Sequence, residues 1–237
     1  MQISDDLFLG PVVRGGPLSD GPSPMELGVG PMGRVHIFDV VPVALNLLGI
    51  ALAQAVAGAS NLVLTAGTGA TLVGGAVVLD TPRCVDILSS SASDTAVTAT
   101  FYGKDQYGQD MTELLTFNGT TRVVSDKAFK SVSRIAISAV MIGNGSAGFT
   151  DKIGLPFRVI SRDYINFNYN ATVGLLAAVT VADTTSPATT TTNDVRGVIT
   201  LASAADGVKR LVATIALPAI ASGPNATRIG ALGVTQV

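Results

Sequence analysis

One cysteine, one histidine and no tryptophan among 237 residues leave this chain few side chains for demanding chemistry. Cys84 has no second thiol to pair with, so an internal disulfide framework is excluded, and a zinc site of the usual Cys/His kind lacks ligands. In "LDTPRCVDIL" Cys84 sits in an apolar, strand-like run and reads as a buried, inert thiol rather than a nucleophile. His36, between Val35 and Ile37, reads as a structural histidine; Asp39 is the neighbour that would orient it in a catalytic role.

Charge is also scarce. Charged residues make up 14% of the chain and the net charge is -2, which gives no electrostatic footprint for nucleic acid, and no nucleic-acid partner is expected. Arg122, Lys127, Lys130 and Arg134, around "SDKAFKSVS", have no aromatic stacking platform beside them and read as a solvated face or rim contact. "GTGATLVGG" at residues 67–75 lacks the third glycine and the lysine of a phosphate-cradling loop, so it reads as a glycine-rich turn, and no cofactor is expected.

The longest stretch without charge runs from Val40 to Leu79, and its first half is long enough to span a bilayer. Pro42, Asn46, Gly49 and Gln54 interrupt it, no Lys or Arg cluster flanks it, and strands covered on both faces also read as continuous apolar runs. Buried strands are therefore expected rather than a membrane span, and no membrane partner is expected. Asp5 and Asp6 occupy the place of a basic n-region, so no secretory signal is read and the chain is expected to stay where it is made.

What the sequence does have is glycine, proline, threonine and alternation. Residues 1–34 hold seven Gly and five Pro, which deny them a helix or a central strand. They read as an extended arm that buries nothing of its own and is ordered by lying on something else, such as a neighbouring subunit. Residues 35–237 read as one all-β domain. Val97, Ala99 and Phe101 alternate with Thr98, Thr100 and Tyr102; Ile165, Phe167 and Tyr169 alternate with Asn166, Asn168 and Asn170. Ile135, Ile137, Ala139 and Met141 form a third such row, and Leu211, Ala213, Ile215 and Leu217 a fourth. Period-2 runs bounded by Gly, Asn, Asp and Ser predict a β-sandwich, jelly-roll or immunoglobulin-like. Residues 43–58 are left open between helix and strand. "TSPATTTTND" at 185–194 and "SAADGVKR" at 203–210 read as loops.

The one cluster of carboxylates lies in "FYGKDQYGQDMTELLTF", residues 101–117, with Asp105, Asp110 and Glu113. Gly103, Gly108, Asp105 and Asp110 are hairpin chemistry, with Asp bonding its own backbone and Gly supplying positive φ. Glu113 falls in the following strand on the face of Met111 and Leu115. Carboxylates along a hairpin tip are expected to point into water in different directions, not across a substrate cleft, so no catalytic residue is assigned.

From the same hairpin onward, "TATFYGKDQYGQDMTELLTFNG", "KAFKSVSRIAIS", "GFTDKIGLPFRV" and "DVRGVITLASAADGVKRLVATIALP", with "AQAVAGASNLVLTAG" upstream, the chain resembles a group of tailed-bacteriophage virion proteins encoded among head genes. The resemblance spans most of residues 50–220, carries no active-site residue, and implies a non-enzymatic capsid decoration or cement protein. Its expected partners are the major capsid protein and further copies of itself, as a dimer or trimer. Its expected place is the capsid surface of a virion made in the host cytoplasm. A head-to-tail connector or tail component, and a glycan-binding or glycan-hydrolysing spike domain, are the alternatives. The arm lies outside the resemblance; its apolar residues Phe8, Leu9, Val12, Val13, Leu18, Met25, Leu27 and Met32 are the inferred anchors for the partner.

Overall fold

A computed structural model describes residues 32–218 apart from Ser186. The described chain is all-β. Its strands are β1 (Met32–Val40), β2 (Asn46–Ala55), β3 (Ser60–Asn61), β4 (Ala70–Val73), β5 (Ala76–Ser89), β6 (Thr98–Lys104), β7 (Asp110–Thr116), β8 (Val123–Ile137), β9 (Asn144–Gly154), β10 (Ile165–Tyr169), β11 (Thr172–Val173), β12 (Val179–Val181), β13 (Gly197–Thr200) and β14 (Leu211–Pro218). Helical geometry among the described residues is confined to two single 3₁₀ turns, Arg162–Tyr164 and Leu176–Ala178. β1 begins at Met32, three residues inside the expected arm; the rest of the arm lies outside the described residues.

Two antiparallel sheets form, consistent with a β-sandwich. The smaller has the order β1-β14-β10-β11, and the larger runs β12-β13-β9-β5-β8-β6-β7, with β2 added to β9, β3 to β8 and β4 to β5. The larger sheet curls until it meets itself. Residues 60–67 bond to β8 through Leu62 N and Ile135 O (2.9 Å) and to β2 through Thr65 N and Ile50 O (2.8 Å), so β2 and β8 are joined across a connecting segment. Within the charge-free run Ile50, Ala51, Val56, Leu62, Val77 and Leu79 line the inside of the curl, whereas Leu48, Leu52, Val63, Leu72 and Val73 are exposed, so the run is buried only in part; residues 43–58, left open from sequence, contain strand β2. No helix among the described residues is long and apolar enough to cross a membrane.

The curl encloses the first core: Ile50, Val77, Val85, Ile87, Phe101, Phe129, Ile135 and Phe149 are among its members. Burying each such side chain contributes on the order of 2 kcal/mol before entropy is counted. A second core lies between the small sheet and the β9–β12–β13 end of the large one, with Ile153, Phe167, Tyr169, Val179, Ile199, Leu211 and Ile215. β9 serves both, through Phe149 in one and Ile153 in the other.

The alternation predicted for β10 holds on both faces, with Ile165, Phe167 and Tyr169 buried and Asn166 and Asn168 exposed. Leu211, Ala213 and Ile215 of β14 are buried as expected. The row proposed from Ile135 to Met141 breaks at Ile137, where β8 ends and Ala139 is exposed. "GTGATLVGG" contains strand β4 and ends in a two-residue hairpin turn, Gly74 (φ 58°) and Gly75 (φ 84°), between Val73 and its partner Ala76.

Candidate functional site

The hairpin joining β6 to β7 holds the three carboxylates, and the structure separates their roles. Asp105 Oδ1 accepts the backbone N–H of Tyr107 (2.8 Å) and of Gln109 (2.9 Å), which is the turn chemistry read from sequence. Gly108 supplies the positive φ of 78°. Gly103 does something else: it lies inside β6, buried, where a Cβ would come 2.0 Å from Ser131 O, so glycine there permits close approach of β8.

Asp105 does not point into water, which corrects the sequence expectation. It is buried, and its Oδ2 lies 2.8 Å from Nη2 of Arg196, itself buried just before β13. The Arg196 guanidinium stacks 4.9 Å from the Tyr107 ring centre, and the Tyr107 hydroxyl donates to Pro156 O at 2.7 Å. The hairpin tip is thereby tied to the segment entering the second core. Asp110 does point into water: its side chain is 91% exposed and pairs with Lys104 at 2.7 Å.

Glu113 is buried on the Met111 and Leu115 face of β7, as read from sequence. Its two oxygens accept the backbone N–H of Asp126 (2.7 Å) and Lys127 (3.0 Å) on β8. Burial outweighs these two bonds and pushes its pKa up to about 7. Lys127, buried beside it, donates to the carbonyls of Thr112 (2.9 Å) and Thr189 (2.7 Å), and burial lowers its pKa. The Thr-rich segment 185–194 is therefore more than a solvated loop. Leu114 N donates to Thr190 O at 2.9 Å, so the segment covers the edge of β7.

The remaining charged groups follow the same pattern. Arg83 is completely buried and donates twice to Asp80 (2.9 and 2.8 Å), and to the carbonyls of Val43 (2.6 Å) and Thr150 (3.3 Å). Asp80 in turn accepts Val43 N at 2.9 Å, so the pair clamps the β1–β2 connection onto β5. Asp86 pairs with Arg122 at 2.9 Å, and burial raises its pKa to about 6. Asp94 accepts from Ser89 Oγ (2.5 Å), Ile142 N (2.9 Å) and Gly143 N (2.9 Å), bonds that hold its pKa low against desolvation.

The basic residues do not share a face. Arg122 is held by Asp86, Lys127 is buried, Lys130 donates to the carbonyls of Leu79 (2.6 Å) and Asp80 (2.9 Å), and Arg134 lies 3.7 Å over the Tyr102 ring. His36 packs its ring 4.4 Å from that of Phe157, while Asp39 binds Arg210 with Nε to Oδ1 at 2.6 Å and does not orient it. Cys84 is buried, and desolvation drives its thiol well above the ordinary range. Among the described residues no three His, Cys, Asp or Glu side chains gather as metal ligands.

Several large apolar side chains stand on the surface. Ile37, Leu52, Val63, Leu72, Val140, Ile142, Val173, Leu175 and Val208 are all exposed. Of the inferred partner anchors, Phe8, Leu9, Val12, Val13, Leu18, Met25 and Leu27 lie outside the described residues, and Met32 starts β1. No family model, no curated protein and no solved structure matches this chain.

Proposed function

We propose that the chain is a non-enzymatic structural protein of a virion, binding the outside of an icosahedral head and cementing neighbouring major capsid proteins. The observation that supports this best is how the buried charges are used. Asp94, Asp105 and Glu113 each accept bonds from backbone amides and hold strands or turns together, while large aliphatic side chains such as Ile37 and Leu52 face outward. That division of labour suits a protein whose work is adhesion. A ligand that binds only an assembled shell stabilises it by mass action, in proportion to its affinity for that state, and needs no chemistry to do so.

The test is co-sedimentation of the full chain with undecorated heads, alone and with Phe8, Leu9, Val12 and Val13 changed to Ser. The expected result is binding by the parent and at least tenfold weaker binding by the variant. Equal binding would move the interface from the arm to the β-body, and no binding by the parent would end the reading.

A further inference from the structure

Four connections meet over the first core. "AVAGASN" (55–61), "SSASDTAV" (90–97), "FNGTT" (117–121) and "SAVMIGN" (138–144) each send one side chain into it: Val56, Val97, Phe117 and Met141. Backbone bonds then join them to one another. Met141 N donates to Val56 O at 3.0 Å, Gly119 N to Asp94 O at 2.8 Å and Ser90 N to Asn144 O at 3.0 Å.

Asp94 is the centre of this cluster. It is 3% exposed, and its carboxylate accepts Ser89 Oγ and the amides of Ile142 and Gly143, so one side chain fixes two connections against each other. The fit is close, since a Cβ on Gly143 would collide with Ser91 N. Loops tied in this way need no ordering when a partner arrives, which removes one of the main costs of association.

The surface that these connections present carries no charge. Eighteen of their residues are exposed, and all are Ala, Ser, Thr, Asn, Val or Ile. The charged residue within them is the buried Asp94, and Arg122, next along the chain, is paired with Asp86. Val140 and Ile142, 59% and 76% exposed, stand on either side of the buried Met141 and so project away from the core.

We propose that this charge-free face binds the same face of a second copy of the chain across a twofold axis. An isologous contact sets a patch against itself. A face bearing Lys or Asp would meet its own sign there, whereas this one has no charge to repel. Its Ser, Thr and Asn side chains each both donate and accept, so every polar group has a partner in its own kind. Val140 and Ile142 supply the apolar centre that such an interface needs. Eighteen residues fall just short of the roughly 20–30 a side of a standard interface, so a reversible dimer is expected rather than a permanent one. The inference does not rest on head binding, because the association is measured with no heads present.

Sedimentation velocity of the full chain tests it. The parent is expected to pass from monomer to dimer as its concentration rises through the micromolar range. Ile142→Lys, placed on an exposed side chain, is expected to keep the thermal midpoint and to associate at least tenfold more weakly. A parent that stays monomeric to about 1 mM overturns the proposal. If Ile142→Lys then also loses binding to heads or to phosphatidylcholine vesicles, the face belongs to the shell or to lipid instead. Dimerisation that the substitution leaves unchanged overturns the proposal too, and puts the contact elsewhere on the chain. Should Ile142→Lys unfold, a cysteine decides the matter, because Cys84 is buried and an added surface thiol is the reactive one. Under mild oxidation Ala139→Cys is expected to link two copies at least tenfold faster than Val208→Cys, which is 81% exposed on the connection between β13 and β14. Equal rates would overturn the assignment.

Discussion

Arg196 and Asp105, ninety-one positions apart in the chain, meet at 2.8 Å with side chains only 2% and 1% exposed. The contact joins the tip of the β6–β7 hairpin to the start of β13, and so couples an element of the first core to one of the second. Removing one member of such a pair leaves the other charged and desolvated, which costs about 3–5 kcal/mol. Asp105→Asn keeps an acceptor for the turn amides but strands the guanidinium, so a loss near the lower end of that range is expected in urea unfolding. Asp110→Asn should leave the midpoint unchanged, because that carboxylate stands in water. Equal effects from the two substitutions would refute the distinction.

Glu113 makes stability depend on pH in a definite direction. Its folded pKa of about 7 lies above the 4.5 of an ordinary glutamate, so the folded state holds the proton more tightly. The stabilisation from this is complete below about pH 4.5 and is lost as pH rises through 7. Asp86, at about 6, acts with the same sign. Unfolding midpoints compared at pH 5 and pH 8 should show a smaller drop in Glu113→Gln than in the parent. An unchanged drop would mean that Glu113 does not titrate in that window.

Cys84 should react with a thiol reagent only when the fold opens. The thiol is buried within a small cluster with Ala128 and Val198, and burial raises its pKa, so the thiolate is scarce at neutral pH. Labelling at the rate of a free thiol under native conditions would contradict this packing, and full labelling in denaturant is the control.

The β10–β11 turn carries Asn170 and Ala171 at φ 50° and 59°, between the paired residues Tyr169 and Thr172. Asparagine tolerates this region, whereas alanine is strained in it. Ala171→Gly gives the turn the Asn-Gly sequence that a two-residue hairpin favours and should raise stability by up to about 1 kcal/mol. A lower thermal midpoint in the variant would show that the turn has another conformation.

The β class and several faces could be read from the sequence because alternation survives wherever one side of a strand meets a core, as in Ile165–Tyr169 and Thr98–Lys104. The signal fails where both faces are covered. Arg83, Cys84, Val85, Asp86 and Ile87 are consecutive and all buried, so no period marks that strand. The buried fate of Asp105 was hidden for a different reason. Its turn chemistry is local and visible in "KDQYGQD", whereas Arg196 comes from a distant part of the chain that only the fold brings near. For Arg83 a local hint existed in Asp80, three residues earlier, too common a spacing to mark a fully buried pair.

The register of β1 against β14 sets Met32 opposite Pro218, so the body is entered and left at neighbouring points on one end of the small sheet. Tension applied through both ends of the chain would therefore act along the β1–β14 hydrogen bonds, perpendicular to the strands. It would open the ladder one pair at a time, as a zip is drawn, instead of shearing all of it together. A body built this way resists little force between its own two ends. If it is to hold neighbours under internal pressure, the load has to enter through its faces or through one terminal segment at a time.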